Sequence, residues 1–306
     1  MQRACIGSLM ELAQQDSRVL YLTADSGEGG LDRIFRMNFP ERSFDFGIAE
    51  NNMVAAAAGL AMSGKIPFVF TAAPFLAYRS FEFIRNDLCL QNLNVKLLAP
   101  GSGLSMSSLG PTHHTTEDIA SLRSLPNLKI LSPCSPVQVS ACMREAYRQT
   151  GPVYIRLAMN SETEPFGEDY IFDPESNDCL QDGKGVVIFC TGSIVKEAKK
   201  AAELLEERLR IKPTLVHVHT LKPFPQNGLP ELAKRCPVFV SMEEHTVSGG
   251  LGSILAECIA EASLPVKLKR IGLMNCFADG YGTVGQIRKE NGLDAESVFI
   301  KIREIL

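Results

Sequence analysis

The sequence has little clustered positive charge. Its 306 residues include 31 Lys and Arg against 35 Asp and Glu, which gives a net charge of -4. The few basic groups, such as Lys199-Lys200, are interpreted as solvated helix faces. Because nucleic acids and acidic membrane surfaces bind clustered Lys and Arg, we expect neither of them as a partner.

Long apolar runs and paired cysteines are also missing. Met53–Met62 is rich in small apolar residues, but it is far too short to cross a bilayer, which takes about 20 residues. The N-terminus has an amphipathic pattern rather than the apolar stretch of a signal peptide. The nine cysteines are scattered, without a CxxC pair or a Cys/His metal spacing. We therefore expect reduced, mostly buried thiols, no metal site in the chain and a cytoplasmic location.

Short apolar strands alternate with helical patterns, which predicts an α/β fold with parallel sheets covered on both faces. From 161 to 185 the composition turns acidic and rich in Pro and Gly, which is typical of a linker. We therefore predict two doubly wound domains, at 1–160 and 186–306, of which the second is smaller. The predicted strands are Val19–Thr23, Ser43–Phe46, Pro67–Thr71, Val95–Ala99, Lys129–Leu131, Val186–Cys190, Thr214–His219, Pro237–Ser241 and Val266–Ile271.

Glu50 is the candidate for the main chemistry. It begins a predicted helix whose residues up to Met62 are nearly all Ala, Val, Leu or Gly, so the helix should be buried on most sides. A buried carboxylate needs a partner, and it can share a proton with a heterocycle nitrogen. The alternative is a first-turn charge that only complements the helix dipole.

Three segments carry a resemblance to a known family. These are GIAENNMVAAAAGLA at 47–61, LGPTHHTTEDIASLRSLPNLKILSPCSP at 109–136 and MEEHTVSGGLGS at 242–253. Together they resemble the pyrimidine-binding and C-terminal domains of the transketolase family of thiamine diphosphate enzymes. The resemblance covers essentially the whole chain, in the right order.

The resemblance implies that Glu50 hydrogen-bonds the aminopyrimidine ring of thiamine diphosphate and thereby activates the cofactor. It also implies that Phe75, Tyr78 and Phe81 surround that ring. These aromatics lie on a predicted helix over Phe75–Leu90, which follows a predicted strand, and ligands of open α/β sheets bind at such strand ends. A stripe of core aromatics is the alternative interpretation.

The other site residues are also implied by the resemblance. His113 would hydrogen-bond the substrate oxygen or stabilise the two-carbon intermediate, and adjacent His side chains in a strand would point oppositely. Asp25 would contact the cofactor, and Arg3 would bind a substrate phosphate. A structural His, an ordinary Asp turn and an exposed Arg are the respective alternatives.

The family's diphosphate-binding motif, GDG followed by an Asn, is absent from the chain. We therefore expect thiamine diphosphate to be shared with an N-terminal, diphosphate-binding transketolase subunit that holds Mg²⁺. Such an enzyme places the cofactor between chains, which predicts homodimerisation of this chain within an α2β2 heterotetramer.

Substrate recognition departs from ordinary transketolases at three positions. Leu109 stands in place of an Asp that reads a sugar hydroxyl, Gly101 near the place of a His, and Met159 in place of a phosphate-binding Arg. The usual sugar phosphates are therefore unexpected as substrates.

The leading function is transfer of a two-carbon ketol unit from a ketose-type donor to an aldehyde-type acceptor. Alternatives are a deoxyxylulose-phosphate synthase-like enzyme, the beta subunit of a 2-oxoacid dehydrogenase, or a catalytically silent subunit. GPTHH with SLRSLPN favours the transketolase side.

Overall fold

The protein is described from a computed structural model, which covers residues 1–25, 31–159, 163–167 and 169–306. The chain divides into two compact units. The first comprises Met1–Ser102 and Ser121–Phe172, and the second comprises Gly103–Ala120 and Asp173–Leu306. The segment Gly103–Ala120 thus belongs to the second unit although it follows a strand of the first.

Six strands of the first unit pair in parallel, in the order β5-β6-β4-β3-β1-β2. They are β1 (Val19–Thr23), β2 (Ser43–Asp45), β3 (Ile66–Phe70), β4 (Lys96–Pro100), β5 (Lys129–Leu131) and β6 (Val153–Leu157). All residues of β1, β3, β4 and β6 are buried. Burial on both faces explains why β1 and β3 read as nearly continuous apolar runs rather than as alternating patterns, whereas β4 and β6 each include one buried basic residue, Lys96 and Arg156.

Helices connect these strands, as the parallel pairing requires. They are α1 (Gln2–Gln15), α2 (Leu31–Asn38), α3 (Glu50–Met62), α4 (Phe81–Phe83), α5 (Asp118–Leu122) and α6 (Pro136–Arg148). The core joins Leu9 of α1 and Val139 of α6 to Tyr21 and Phe68 of the sheet. Ser135 caps α6 by accepting a hydrogen bond from the amide of Gln138.

The second unit contains a five-stranded sheet in the order β12-β11-β8-β9-β7, with β7 antiparallel at the edge. Its strands are β7 (Asp178–Gln181), β8 (Val186–Cys190), β9 (Thr214–His217), β11 (Val238–Thr246) and β12 (Lys267–Leu273); a short β10 is Thr220–Lys222. Its helices are α7 (Val195–Leu209), α8 (Leu229–Arg235), α9 (Leu251–Glu261), α10 (Val284–Glu290) and α11 (Ala295–Arg303). The predicted α/β class of both domains is confirmed.

Sequence patterns missed several elements. Strand β7 lies inside the stretch interpreted as a linker, where it pairs with β9 through a bulge and its apolar content is low. Helix α10 is short and has an exposed polar face, although its capping box, formed by Thr283 and Gln286, is visible in the sequence. Strand β6 and helices α2 and α11 also went unpredicted.

Within the described part of the chain, no helix combines the length and the apolar character needed to cross a membrane. The cysteines there are free, and Cys5 and Cys190 are buried. Burial raises the pKa of the Cys5 thiol to about 12, so this thiol is unreactive at neutral pH.

Lys96 is a buried cation at the start of β4. Its Nζ donates hydrogen bonds to the carbonyl oxygens of Gln149 and Gly151, at 2.8 and 2.9 Å. Burial, together with the nearby charge of Lys129, lowers the pKa of Lys96 from 10.5 to about 7. Lys96 therefore makes the stability of the first unit depend on pH.

We predict that this dependence disappears in Lys96→Met. Between pH 7 and pH 10.5 the unfolded chain holds a proton on Lys96 that the folded chain releases, so raising the pH through this window stabilises the folded state. Urea unfolding should show the free energy of unfolding of the natural protein rising relative to that of Lys96→Met across the window. Lys65→Met, at an exposed position, is the control, and its free energy of unfolding should change with pH as that of the natural protein does. If the difference in free energy of unfolding between the natural protein and Lys96→Met stayed constant with pH, the lowered pKa of Lys96 would be contradicted.

Candidate functional site

Glu50 begins helix α3 and is buried, as predicted, with an exposed fraction of 1%. The helix buries Met53, Val54 and Ala57, and its alanines let it pack closely. No side chain caps its N-terminus, where the preceding residue is Ala49. The unpaired amides of the first turn therefore favour a negative charge at this position.

The partner of Glu50 is Arg79, which the sequence analysis did not identify. Arg79 Nη1 donates a hydrogen bond to Glu50 Oε2 at 2.5 Å. The exposed fractions of the two side chains are 43% for Arg79 and 2% for Glu50. The only sequence signal was an Arg close to the aromatics on the segment that follows β3.

The aromatic candidates lie on this segment, beyond the carboxyl end of β3. We predicted one helix over Phe75–Leu90, but two π-helical segments, Phe75–Arg79 and Ile84–Cys89, flank the three residues of α4. The spacing of the aromatics therefore does not define one face of an α-helix. Single π-helical turns are frequent at functional sites because they change the direction in which side chains point.

The three aromatics differ in exposure. Phe75 and Phe81 are half-buried, and 38% of Tyr78 is exposed. The guanidinium carbon of Arg79 lies 4.6 Å from the centroid of the Phe75 ring, which is a cation–π contact. Glu50, Arg79 and Phe75 thus form one contact group, with Tyr78 next to Arg79 in sequence.

Asp25 lies at the carboxyl end of β1 and is exposed, with a left-handed backbone φ of 47°. Its amide donates a hydrogen bond to Asp45 Oδ1 at 3.2 Å, and the amide of Gly47 donates to the same oxygen at 2.9 Å. Burial raises the pKa of Asp45, but the two amides and the Arg36 guanidinium outweigh this effect, so the pKa lies below its usual value. Asp45, which sequence reasoning missed, therefore orders the backbone at this edge of the sheet.

His113 and Leu109 lie in the segment that belongs to the second unit. Adjacent His side chains would point oppositely in a strand, but residues 111–113 form a turn. His113 is half-buried, and its Nδ1 lies 2.9 Å from Thr112 Oγ1. His114 is buried, and burial lowers its pKa. The turn, and not strand alternation, gives the two histidines different surroundings.

The turn begins at Gly110, which has a φ of 76°. A Cβ on Gly110 would lie 2.2 Å from the ring of Tyr281, so no other residue fits there. The hydroxyl of Ser107 donates to the carbonyl oxygen of Gly282 at 2.8 Å. The position of His113 therefore depends on contacts of its segment with the loop before α10.

The remaining substrate candidates are scattered. Arg3 is exposed on α1, and 46% of Leu109 is exposed. Gly101 is buried after β4, where its amide donates to the carbonyl oxygen of Leu157 at 2.9 Å. Met159 is half-buried, and the side-chain amide of Gln2 lies 3.1 Å from its sulfur.

The glycine-rich turn at 249–252 does not have the arrangement of a phosphate-binding loop. Glu243 accepts hydrogen bonds from the amides of Leu251 and Gly252, at 2.7 and 2.8 Å, and so caps helix α9. A Cβ on Gly250 would lie 2.1 Å from the Glu243 carboxylate. The helix N-terminus is thus already occupied by a carboxylate of the chain.

Glu244 and Arg288 form a second buried pair, with Arg288 Nε 2.6 Å from Glu244 Oε1. The hydroxyl of Ser193 donates to the other carboxylate oxygen at 3.1 Å. Both oxygens of the Glu244 carboxylate thus have partners within the chain, and we therefore interpret this pair as structural. Among the residues that the structure describes, no group of three or more His, Cys, Asp or Glu side chains is arranged to hold a metal.

Comparison with known proteins matches both halves of the chain. Residues 1–161 match the transketolase pyrimidine-binding domain, and residues 177–298 match the transketolase C-terminal domain. The chain belongs to the transketolase family. The buried Glu50 and the GPTHH turn thus lie in a pyrimidine-binding domain of a thiamine diphosphate-dependent family.

Two relatives of this transketolase chain are named as subunits, and the similarity covers about nine-tenths of each. It is 38% identical to an apulose-4-phosphate transketolase subunit of Actinobacillus succinogenes, over 90% of this chain and 89% of the relative. It is 33% identical to the 6-deoxy-6-sulfo-D-fructose transketolase subunit SqwH of Clostridium sp. strain MSTE9, over 97% and 91%. A solved structure described as a split gene transketolase, inactive beta4 tetramer, is 37% identical, with a TM-score of 0.90 over 99% and 97%.

Proposed function

We propose that this chain is the pyrimidine-binding and C-terminal subunit of a split, thiamine diphosphate-dependent transketolase-like enzyme. The enzyme transfers a two-carbon ketol unit from a ketose-type donor to an aldehyde-type acceptor. The observation that carries the proposal is the buried Glu50 carboxylate, which Arg79 links to the Phe75 ring, in a chain whose two halves both match the family.

The residues around Glu50 fit the aminopyrimidine end of the cofactor. A flat heterocycle with ring nitrogens needs an acid or carboxylate at its edge and apolar rings against its faces. Glu50 supplies the first, while Phe75, Tyr78 and Phe81 supply the second. When bound, thiamine diphosphate supplies a thiazolium carbon nucleophile that allows cleavage of a bond beside a ketone.

Glu50 acts by holding a proton at the ring nitrogen, which favours the tautomer whose imino group is a base. Burial excludes water from this hydrogen bond and keeps it strong. His113 is assigned to the substrate, as a donor to its oxygen, with Thr112 fixing the imidazole through Nδ1. Asp25 is assigned to the cofactor and Arg3 to an anionic group of the substrate.

A partner completes this site. The chain has no GDG and Asn motif, so the diphosphate and Mg²⁺ are held by an N-terminal subunit. Two copies of each chain, related by a twofold axis, form an α2β2 heterotetramer. The naming of the relatives as subunits, and the inactivity of the similar solved structure as a beta4 tetramer, support the need for a partner.

We predict that the lone chain binds thiamine diphosphate weakly or not at all, because the ligands for the diphosphate and Mg²⁺ are missing. Isothermal titration with thiamine diphosphate and Mg²⁺ should show tight binding only after a diphosphate-binding subunit is added. Light scattering of that mixture should give a heterotetramer. Tight binding by the lone chain, or a fully active 1:1 dimer, would contradict the composition.

We predict that Glu50→Gln lowers turnover of the reconstituted enzyme by far more than tenfold, which corresponds to more than about 1.4 kcal/mol of barrier. Gln keeps the shape of Glu but has no carboxyl proton to share. Glu82→Gln, at an exposed position of α4, is the matched control. Steady-state kinetics and light scattering separate activity from assembly; a loss of tenfold or less would leave Glu50 only its role at the helix N-terminus.

We predict poor efficiency on xylulose 5-phosphate with ribose 5-phosphate, because Leu109 cannot accept a hydrogen bond from a sugar hydroxyl. A hydroxyl left unpaired when the substrate is enclosed costs roughly 1–3 kcal/mol. A panel should include fructose 6-phosphate, pyruvate and unphosphorylated ketoses. Leu109→Asp should improve KM for xylulose 5-phosphate if this position reads the hydroxyl. Ordinary transketolase efficiency in the natural protein would overturn this prediction, and turnover of pyruvate would favour a deoxyxylulose-phosphate synthase-like activity.

A further inference from the structure

Arg79 makes two contacts at once, with the carboxylate of Glu50 and with the ring of Phe75. Its Nη1 lies 2.5 Å from Glu50 Oε2, and its guanidinium carbon lies 4.6 Å from the centroid of the Phe75 ring. These are the two groups that the proposed function assigns to the aminopyrimidine of thiamine diphosphate. The guanidinium is flat and donates N–H groups to a carboxylate. The aminopyrimidine is also a flat, nitrogen-bearing group, and its ring nitrogen can donate to a carboxylate when it carries a proton.

The pair with Arg79 stabilises the chain before the cofactor binds. Glu50 is 1% exposed, and a buried carboxylate without a partner is strongly destabilising. Within the described residues, Arg79 is the cation that contacts Glu50. The cofactor-free chain therefore needs Arg79, or an equivalent donor, at this position.

Arg79 can also leave this position at a low cost. Its side chain is 43% exposed, so the guanidinium can move into water without being transferred from a dry interior. Arg79 is the last residue of the π-helical segment Phe75–Arg79, and Ser80 follows that segment. The hydroxyl of Ser80 lies 3.3 Å from Asn51 Oδ1, which connects this segment to the first turn of α3. The backbone can therefore stay in place while the Arg79 side chain moves.

We propose that Arg79 is a placeholder for the aminopyrimidine ring: its guanidinium occupies Glu50 and Phe75 in the cofactor-free chain and is displaced when the ring binds. This inference rests on the proposed function. In this role Arg79 lowers the affinity of the chain for the cofactor, and it stabilises the cofactor-free chain by pairing with Glu50.

The first test measures the pair in the lone chain. Urea unfolding of the natural chain, Arg79→Met, Glu50→Gln and the double variant forms a double-mutant cycle. Arg79→Met should destabilise the chain, and Glu50→Gln should remove most of that effect because no unpaired charge is left buried. Arg85→Met, which removes an exposed cation on the second π-helical segment, is the control and should not couple to Glu50. Additive effects at positions 50 and 79 would overturn the inference.

The second test measures cofactor binding to the reconstituted complex. Arg79→Met should bind thiamine diphosphate with Mg²⁺ roughly threefold to tenfold more tightly than the natural protein, as expected for removing one partly exposed competing pair. The gain should be seen mainly as faster association in stopped-flow measurements. The affinity of Arg79→Lys for thiamine diphosphate should lie between those of the natural protein and Arg79→Met. Lys keeps the charge but has no flat group to lie on the Phe75 ring.

The outcomes separate this inference from the proposed function. Normal binding by the natural complex with weaker binding by Arg79→Met would show that Arg79 stays on Glu50 in the bound state, and would overturn the placeholder role alone. If no complex binds thiamine diphosphate, the proposed function fails and the placeholder role fails with it.

Discussion

A buried carboxylate must be compensated, and the first unit is arranged around that requirement at Glu50. The alanines of α3 allow close packing, which places the first residue of the helix out of water. The amides of the first turn provide part of the compensation, and the guanidinium of Arg79 provides the rest. Without both, ionised Glu50 would be strongly destabilising at this depth.

Arg79 lies on the segment that follows strand β3, whereas Glu50 follows strand β2. In a parallel sheet the carboxyl ends of the strands share one edge, so residues that follow different strands meet there. The π-helical turn Phe75–Arg79 brings an aromatic ring and a cation to the same carboxylate. At the same edge, Asp45 holds the backbone at Asp25 and Gly47.

The buried carboxylates of the second unit have a different kind of hydrogen-bond partner. Glu243 is saturated by amides of α9, and Glu244 by Arg288 and Ser193. The amides belong to the backbone and Arg288 is buried, so these partners cannot be exchanged for a ligand at low cost. Arg79 differs because it is partly exposed. This contrast supports the proposal that the carboxylate in the first unit binds the cofactor, whereas those in the second unit are structural.

The sequence by itself determined the α/β class, most strands, the buried start of α3 and the family, because apolar runs and motifs are local signals. It did not show α2, β6 or the edge strand β7, whose patterns are short or weakly apolar. It also predicted a regular helix where π-helical turns occur. Only the tertiary structure identified Arg79 and Asp45 as partners, because these contacts join residues 29 and 20 positions apart. Such pairings depend on which strand ends share a sheet edge, and no local pattern encodes that neighbourhood.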